Sequence, residues 1–427
     1  MSTDSVGTGA RWSMVVISLG ATLSAFTFIN GVAFLIPALQ VERDTTLAQA
    51  GLLSSMPSFG MVFTLIGWGY LVDRIGERIV LTAGSALTAV GAYGAASVHS
   101  LVAVGAFLFV GGMAAASCNS ASGRLVTGWF PPHHRGLAMG VRQAAQPLGI
   151  ALGAAIMPEL AERGISAALM FPALVCTVSA AACAIGIVDP PRKTRAAASD
   201  EELNNPYRKS TVLWRIHAVS SLLMVPQAVT ATFMLVWLMD RQHWSVGAAG
   251  GLVTLTQLLG ALARVLVGRW SDRVASRLRP LRTLAGLAGL AMFVLAINDH
   301  FDSPLAEAAM VAAAVLAVTD NGLAATAIPE YAGPFWSGRA LGTQNTGQRL
   351  TAAAAAPLFG ALVTATEYPV GFAVCGLAAL LAVPLVPISA ENADKDADKQ
   401  RPSGRAPRPL RRSGRRPGAS KAARRPG

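Results

Sequence analysis

Four arginines and one aspartate lie inside the long apolar stretches of this 427-residue chain: Arg124, Arg142, Arg264, Arg349 and Asp320. A charge at such a position is costly, so it faces a cavity or a partner. A guanidinium carries a fixed fork of N–H donors that matches a carboxylate or phosphate. Four arginines against one aspartate give a positive excess, which points to a small organic anion such as a mono- or dicarboxylate. Arg349 is the leading candidate for anion binding, with Arg142 and Arg264 behind it. Arg124 is only five residues from Trp129 and is expected to snorkel to the surface. Asp320 is the one candidate for carrying a coupled proton, since a desolvated carboxylate can exchange protons near neutral pH. An Arg349–Asp320 ion pair is the alternative.

A neutral polar set accompanies these charges. Asn30, Asn119, Gln146, Gln257 and Gln348 are candidate substrate contacts, beside Gln143, Gln227, Asn321, Gln344 and Asn345. Hydrogen bonds between helices account for many such residues without a ligand. Phe26, Phe28, Phe233 and Trp237 are candidate cavity walls. Other chemistry is missing from the sequence: there is no GxxxxGK[ST] phosphate loop, HExxH pair or paired-cysteine site. The reading is therefore neither an enzyme nor a cofactor or metal binder. The four cysteines all fall in apolar runs, which disfavours a disulfide framework.

The elements that must hold these residues are membrane helices. Hydrophobic residues make up 53% of the chain and charged residues 14%, where about 25% is usual for soluble domains. Twelve spans are expected, at 12–39, 48–72, 79–97, 101–127, 137–158, 166–188, 213–239, 246–270, 281–298, 304–327, 339–366 and 369–388. Each is near the roughly 20 residues that cross a bilayer as a helix. The resulting division is 1–11 as an N-terminus, 12–188 and 213–388 as two six-helix halves, 189–212 as a central loop and 389–427 as a disordered tail. The tail holds 12 Lys/Arg and 4 Asp/Glu, suited to solvent or anionic lipid rather than nucleic acid. Arginines crowd the loops of one side and acids those of the other, so the positive-inside rule puts both termini in the cytoplasm. Arg outnumbers Lys 30 to 5 in an Ala- and Gly-rich chain, which suggests a GC-rich bacterial genome and a bacterial plasma membrane.

One short stretch organises the loops. Gly69, Asp73, Arg74, Gly76 and Arg78 follow the second span. Gly268, Asp272, Arg273, Ala275 and Arg277 follow the eighth with the same spacing, 268 − 69 = 199 residues later. A second match, GLAMGVRQAAQPLG at 136–149 and GRALGTQNTGQRLT at 338–351, has an offset of 338 − 136 = 202. Two matches at nearly one offset mark a duplicated six-helix unit.

On these residues the chain, over about 12–388, resembles the major facilitator superfamily of secondary transporters. Gly69–Arg78 resembles the family's loop between spans 2 and 3. Trp129-Phe130-Pro131 before Arg135-Gly136, and Pro329-Glu330 before Gly338-Arg339, resemble the family's approach to spans 5 and 11. The resemblance implies an all-α membrane protein with twelve transmembrane helices in two pseudo-symmetric bundles. It also implies a small-molecule substrate between them, alternating access, and a proton or another exchanged ion as partner. Spans 3, 6, 9 and 12 would face lipid, and none of these four carries a charged core residue. Asp73 is expected at the N-terminus of span 11 near Gly338, and Asp272 at that of span 5 near Gly136. Each would be favoured there by about 0.3–1 kcal/mol. Arg74, Arg78, Arg273 and Arg277 are expected to hold these carboxylates or lipid headgroups. Efflux of amphipathic drugs and a non-transporting membrane sensor are the rival functions.

Overall fold

The computed structural model describes residues 6–191 and 195–392; the basic stretch 393–427 lies outside them. No strand occurs among the described residues. Eleven helices are long and apolar enough to cross a membrane. They are α1 (Thr8–Glu42), α2 (Ala48–Ile75), α3 (Glu77–Ser97), α4 (Leu101–Trp129), α5 (Pro132–Ala161), α6 (Ile165–Gly186), α7 (Val212–Asp240), α8 (Gly247–Arg273), α9 (Leu278–His300), α10 (Ala306–Ala332) and, after a gap in the numbering, α12 (Tyr368–Asn392). Between the last two runs α11 (Ser337–Ala365), a helix of 29 residues. It is less apolar because Gly, Gln, Asn and Thr crowd its first turns, the segment that turns toward the other half.

Helix boundaries follow local chemistry. Thr46 and Gln49 form a reciprocal capping box at the start of α2. Gly76 separates α2 from α3 at φ 107°, a backbone conformation that a side chain resists. A Cβ there would also strike the Asp189 carboxylate. In the second copy Ala275 holds a left-handed φ of 46° without glycine's freedom.

The helices α3, α6 and α9 run unbroken, as do residues Tyr368–Leu385 of α12. α3 packs along α6, and α9 along α12. The breaks fall elsewhere. A 3-10 turn, Val32–Leu35, interrupts α1. α4 is offset at Ala116, α5 at Ala144, and α10 between Ala317 and Asn321. All four are helices expected to line a cavity.

The two halves meet at the end of the bundle that carries Arg74, Arg135, Arg277 and Arg339, called here the basic face. α2 lies against α11, and α8 against α5. The approach is backbone on backbone. A Cβ on Gly69 would fall on the Gly338 carbonyl, and one on Gly268 on the Gly136 carbonyl. One turn deeper, Gly342 meets Leu65 and Gly140 meets Arg264 in the same manner. Gly136/Gly140 and Gly338/Gly342 are thus a repeated small-xxx-small face.

The central loop is partly helical, with short turns at Asp200–Leu203 and Pro206–Lys209. Trp336 Nε1 donates to the Leu203 carbonyl at 3.1 Å, and the Tyr207 hydroxyl lies 2.8 Å from His217 Nε2. Burial pushes the Tyr207 phenol above its ordinary range.

Candidate functional site

A small cavity lies between the halves, lined by Thr22, Phe26, Asn119, Arg142, Gln143 and Gln146 from one and by Met224, Gln227, Asn321, Asn345, Gln348 and Arg349 from the other. Of the residues singled out above as substrate contacts, it therefore gathers Arg349, Arg142, Asn119, Gln146 and Gln348. Asn30 is not brought there; its amide donates to the Phe26 carbonyl one turn back at 3.1 Å. Gln257 lines a neighbouring small cavity with Thr256 and Val318. Arg264 lines neither.

The arginines differ in what they touch. Arg142 is buried and its donors meet neutral acceptors: Ser122 Oγ at 2.8 Å, the Asn119 carbonyl at 2.7 Å and Gln143 Oε1 at 2.8 Å. Arg264 is buried and donates to two carbonyls beside helix breaks, Val318 at 3.1 Å and Gln143 at 2.9 Å. Arg349 has neither a backbone acceptor nor a carboxylate partner among the described residues. Its guanidinium stands 5.5 Å from the Phe26 ring centroid, a cation–π contact across the halves. The alternative Arg349–Asp320 pair does not form. Asp320 is buried beside the α10 break, and its Oδ2 has no hydrogen-bond partner. It does not line the cavity.

The amides form a cross-braced wall. Asn321 Nδ2 donates to Gln227 Oε1 at 2.9 Å, and Gln348 Nε2 donates to Asn321 Oδ1 at 3.0 Å. The expected aromatic walls reduce to Phe26. Phe28 is fully buried against Gly111. Trp237 packs on Phe372 and donates to Asp299 at 2.9 Å, while Phe233 packs at a tilt against Phe359.

At the basic face Asp73 accepts from the Gly338 amide at 2.8 Å, the Arg339 amide at 3.1 Å and Arg339 Nε at 3.1 Å. Asp272 accepts from the Gly136 amide at 2.9 Å and the Leu137 amide at 2.8 Å. Asp73 thus sits on the first turn of α11, where the exposed N–H groups and the macrodipole favour it, whereas Asp272 meets the fifth and sixth residues of α5, one turn further in. Arg277 holds Asp272 at 2.7 Å, as expected. Its counterpart Arg78 does not hold Asp73. It donates to the Ala184 carbonyl at 2.9 Å, and its own amide donates to Asp189 at 2.8 Å. Arg74 lies over the Tyr70 ring and Arg273 is exposed; neither pairs with a carboxylate among the described residues.

Arg124 departs from the snorkelling expectation. It points inward, 3.1 Å from Glu77 and 3.6 Å from Asp73, and donates to the Val72 carbonyl at 2.8 Å, the Pro334 carbonyl at 2.8 Å and Ser337 Oγ at 2.9 Å. Sequence distance from Trp129 gave its depth but not its direction. Glu77 was overlooked because it stands among loop charges, although a carboxylate opening a helix was the available signal. Glu330, which pairs with Arg135 at 3.1 Å, was noted only for its place before Gly338.

The Major Facilitator Superfamily model matches residues 17–356. An uncharacterized MFS-type transporter of Mycobacterium tuberculosis is 63% identical over 388 residues, covering 91% of this chain and 87% of the relative. A probable anion transporter of Arabidopsis thaliana chloroplasts is 29% identical over 131 residues, 30% of this chain and 24% of that protein. Among solved structures, the human organic anion transporter MFSD10 superposes with a TM-score of 0.70 at 17% identity, covering 88% of this chain and 99% of that one.

Proposed function

The chain belongs to the Major Facilitator Superfamily, and on that premise we propose that it is a secondary transporter of a small organic anion, a carboxylate, working by alternating access. The anion reading rests on Arg349. It is a guanidinium in the cavity between the halves, facing a phenyl ring instead of an acid. An uncompensated charge there is costly unless an anion arrives to pair with it. The words "anion transporter" in the names of two similar proteins lend support.

In this reading Arg349, Gln146, Gln348 and Asn119 contact the substrate. Asp320, with one buried oxygen lacking a partner, carries the coupled proton. Asp73 and Asp272 hold the basic face closed, and their release accompanies its opening. The basic face is cytoplasmic and the protein lies in the cell membrane with both termini inside.

The test is a thermal-shift screen of the purified protein against carboxylates, phosphorylated compounds, sugars, amino acids and lipophilic cations. A ligand at about 100 times its dissociation constant stabilises by about 2.7 kcal/mol. Hits then go to counterflow in liposomes. Carboxylate binding with counterflow is the expected result. Stabilisation by lipophilic cations would replace it with efflux, and binding without counterflow would make the protein a sensor.

A further inference from the structure

We propose that the central site takes a small dianion, held between Arg142 of one half and Arg349 of the other. The proposal rests on the anion reading and sharpens its substrate class. Both guanidinium groups line the same cavity, and no carboxylate does. Neither forms an ion pair with an acid among the described residues. Arg142 is surrounded by a hydroxyl, a carbonyl and an amide, while Arg349 faces a ring. Asp320 and Arg264 stand outside the lining. The cavity therefore presents two positive charges in a poorly solvated place.

A monoanion would leave one of those charges unmatched, where desolvation costs most. A dianion matches both. Arg142 also keeps donor capacity. Of about five N–H groups on a guanidinium, its Nε, Nη1 and Nη2 each give one to oxygen, and Nη1 also meets the Met139 sulfur at 4.0 Å. One N–H of Nη2 remains for a ligand. Because one charge sits on α5 and the other on α11, a dianion would tie the halves together through its own body. Short dicarboxylates and doubly charged oxyanions such as phosphate share this chemistry.

The experiment measures binding to the full-length protein in detergent near neutral pH, with succinate, butyrate, succinamide and inorganic phosphate as probes. Succinate or phosphate is expected to bind at least about tenfold more tightly than butyrate, with succinamide silent. Which of the two dianions binds identifies the source. Arg142→Gln and Arg349→Gln should each bring succinate and butyrate to within about threefold. Arg142→Lys keeps the charge and should retain the preference, which separates charge matching from misfolding. Butyrate binding as well as either dianion would overturn the dianion proposal while leaving the anion reading intact. If none of the charged probes binds, the anion reading falls and the dianion with it.

Discussion

Arg264 Nη1 lies 2.9 Å from the backbone carbonyl of Gln143, across the boundary between the two halves. The partner of that carbonyl in an unbroken helix would be the amide four residues on. That residue is Pro147, which has no N–H. The proline leaves an acceptor open on one half, and an arginine of the other half fills it.

Removing this cross-connection should loosen the basic face. A charge-assisted hydrogen bond of this kind contributes about 1.5–3 kcal/mol. Arg264→Gln in a Leu341→Cys background should raise the thiol-labelling rate at residue 341, which is buried on α11 in the closed form, by about tenfold or more. An unchanged rate would mean that the bond fills an acceptor without holding the halves.

Asp73→Asn should slow turnover strongly while leaving ligand affinity within a few-fold, because Asp73 lies away from the cavity lining. Asparagine keeps one acceptor oxygen, so either the Gly338 bond or the two Arg339 bonds are lost along with the negative charge. Counterflow rate and thermal-shift affinity, measured together, separate the two effects. Normal turnover would remove Asp73 from the closure.

Two glycine substitutions should behave oppositely. Gly69→Ala places a methyl against the Gly338 backbone, which cannot yield, so the closed form should be lost or shifted. Gly286→Ala meets nothing within 4 Å and should be neutral or stabilising by up to about 1 kcal/mol. Melting curves of the two variants decide the matter.

Ala275→Gly should stabilise. Alanine at φ 46° bears the crowding of the left-handed region, about 1–2 kcal/mol, part of which glycine gives back through its looser unfolded chain. Gly76→Ala, at φ 107° against the Asp189 carboxylate, should do the reverse. A higher melting temperature for the first variant and a lower one for the second is the expected pair.

Arg349→Ala should strongly weaken stabilisation by anionic ligands, leaving only what Arg142 holds. Undiminished stabilisation would move the anion site elsewhere, since Arg349 is the cavity arginine without an oxygen partner among the described residues.

The architecture was legible in the sequence because its signals are strong and repeated. Apolar runs of bilayer length marked the helices, and two motifs at nearly one offset marked the duplication. The positions of Asp73 at Gly338 and Asp272 at Gly136 followed from the family resemblance and the repeat, which set span 2 beside span 11 and span 8 beside span 5. The partners of Arg124, Arg142 and Arg264 did not, because spacing along a helix fixes depth while the facing neighbour depends on tertiary packing. Pro147, four residues after Gln143, was the one visible sign of an open carbonyl. For Arg124 the sign was Glu77, set apart from the other loop acids only by its place at the start of α3. The positive φ of Ala275 was also hidden, since an alanine in a glycine position reads as a lapse in the motif instead of a strained copy of it.

The breaks in α4, α5 and α10 come after 15, 12 and 12 helical residues, about 18–22 Å from where each helix starts. That is about half of a bilayer of roughly 40–45 Å counted with its headgroup regions. These helices are therefore jointed at mid-thickness, while their neighbours α3, α6 and α9 are unbroken struts. A frame of stiff members carrying articulated ones does not have to tilt as a whole. On the alternating-access reading proposed above, the segments away from the basic face would close over a bound solute while those at the basic face stay clasped.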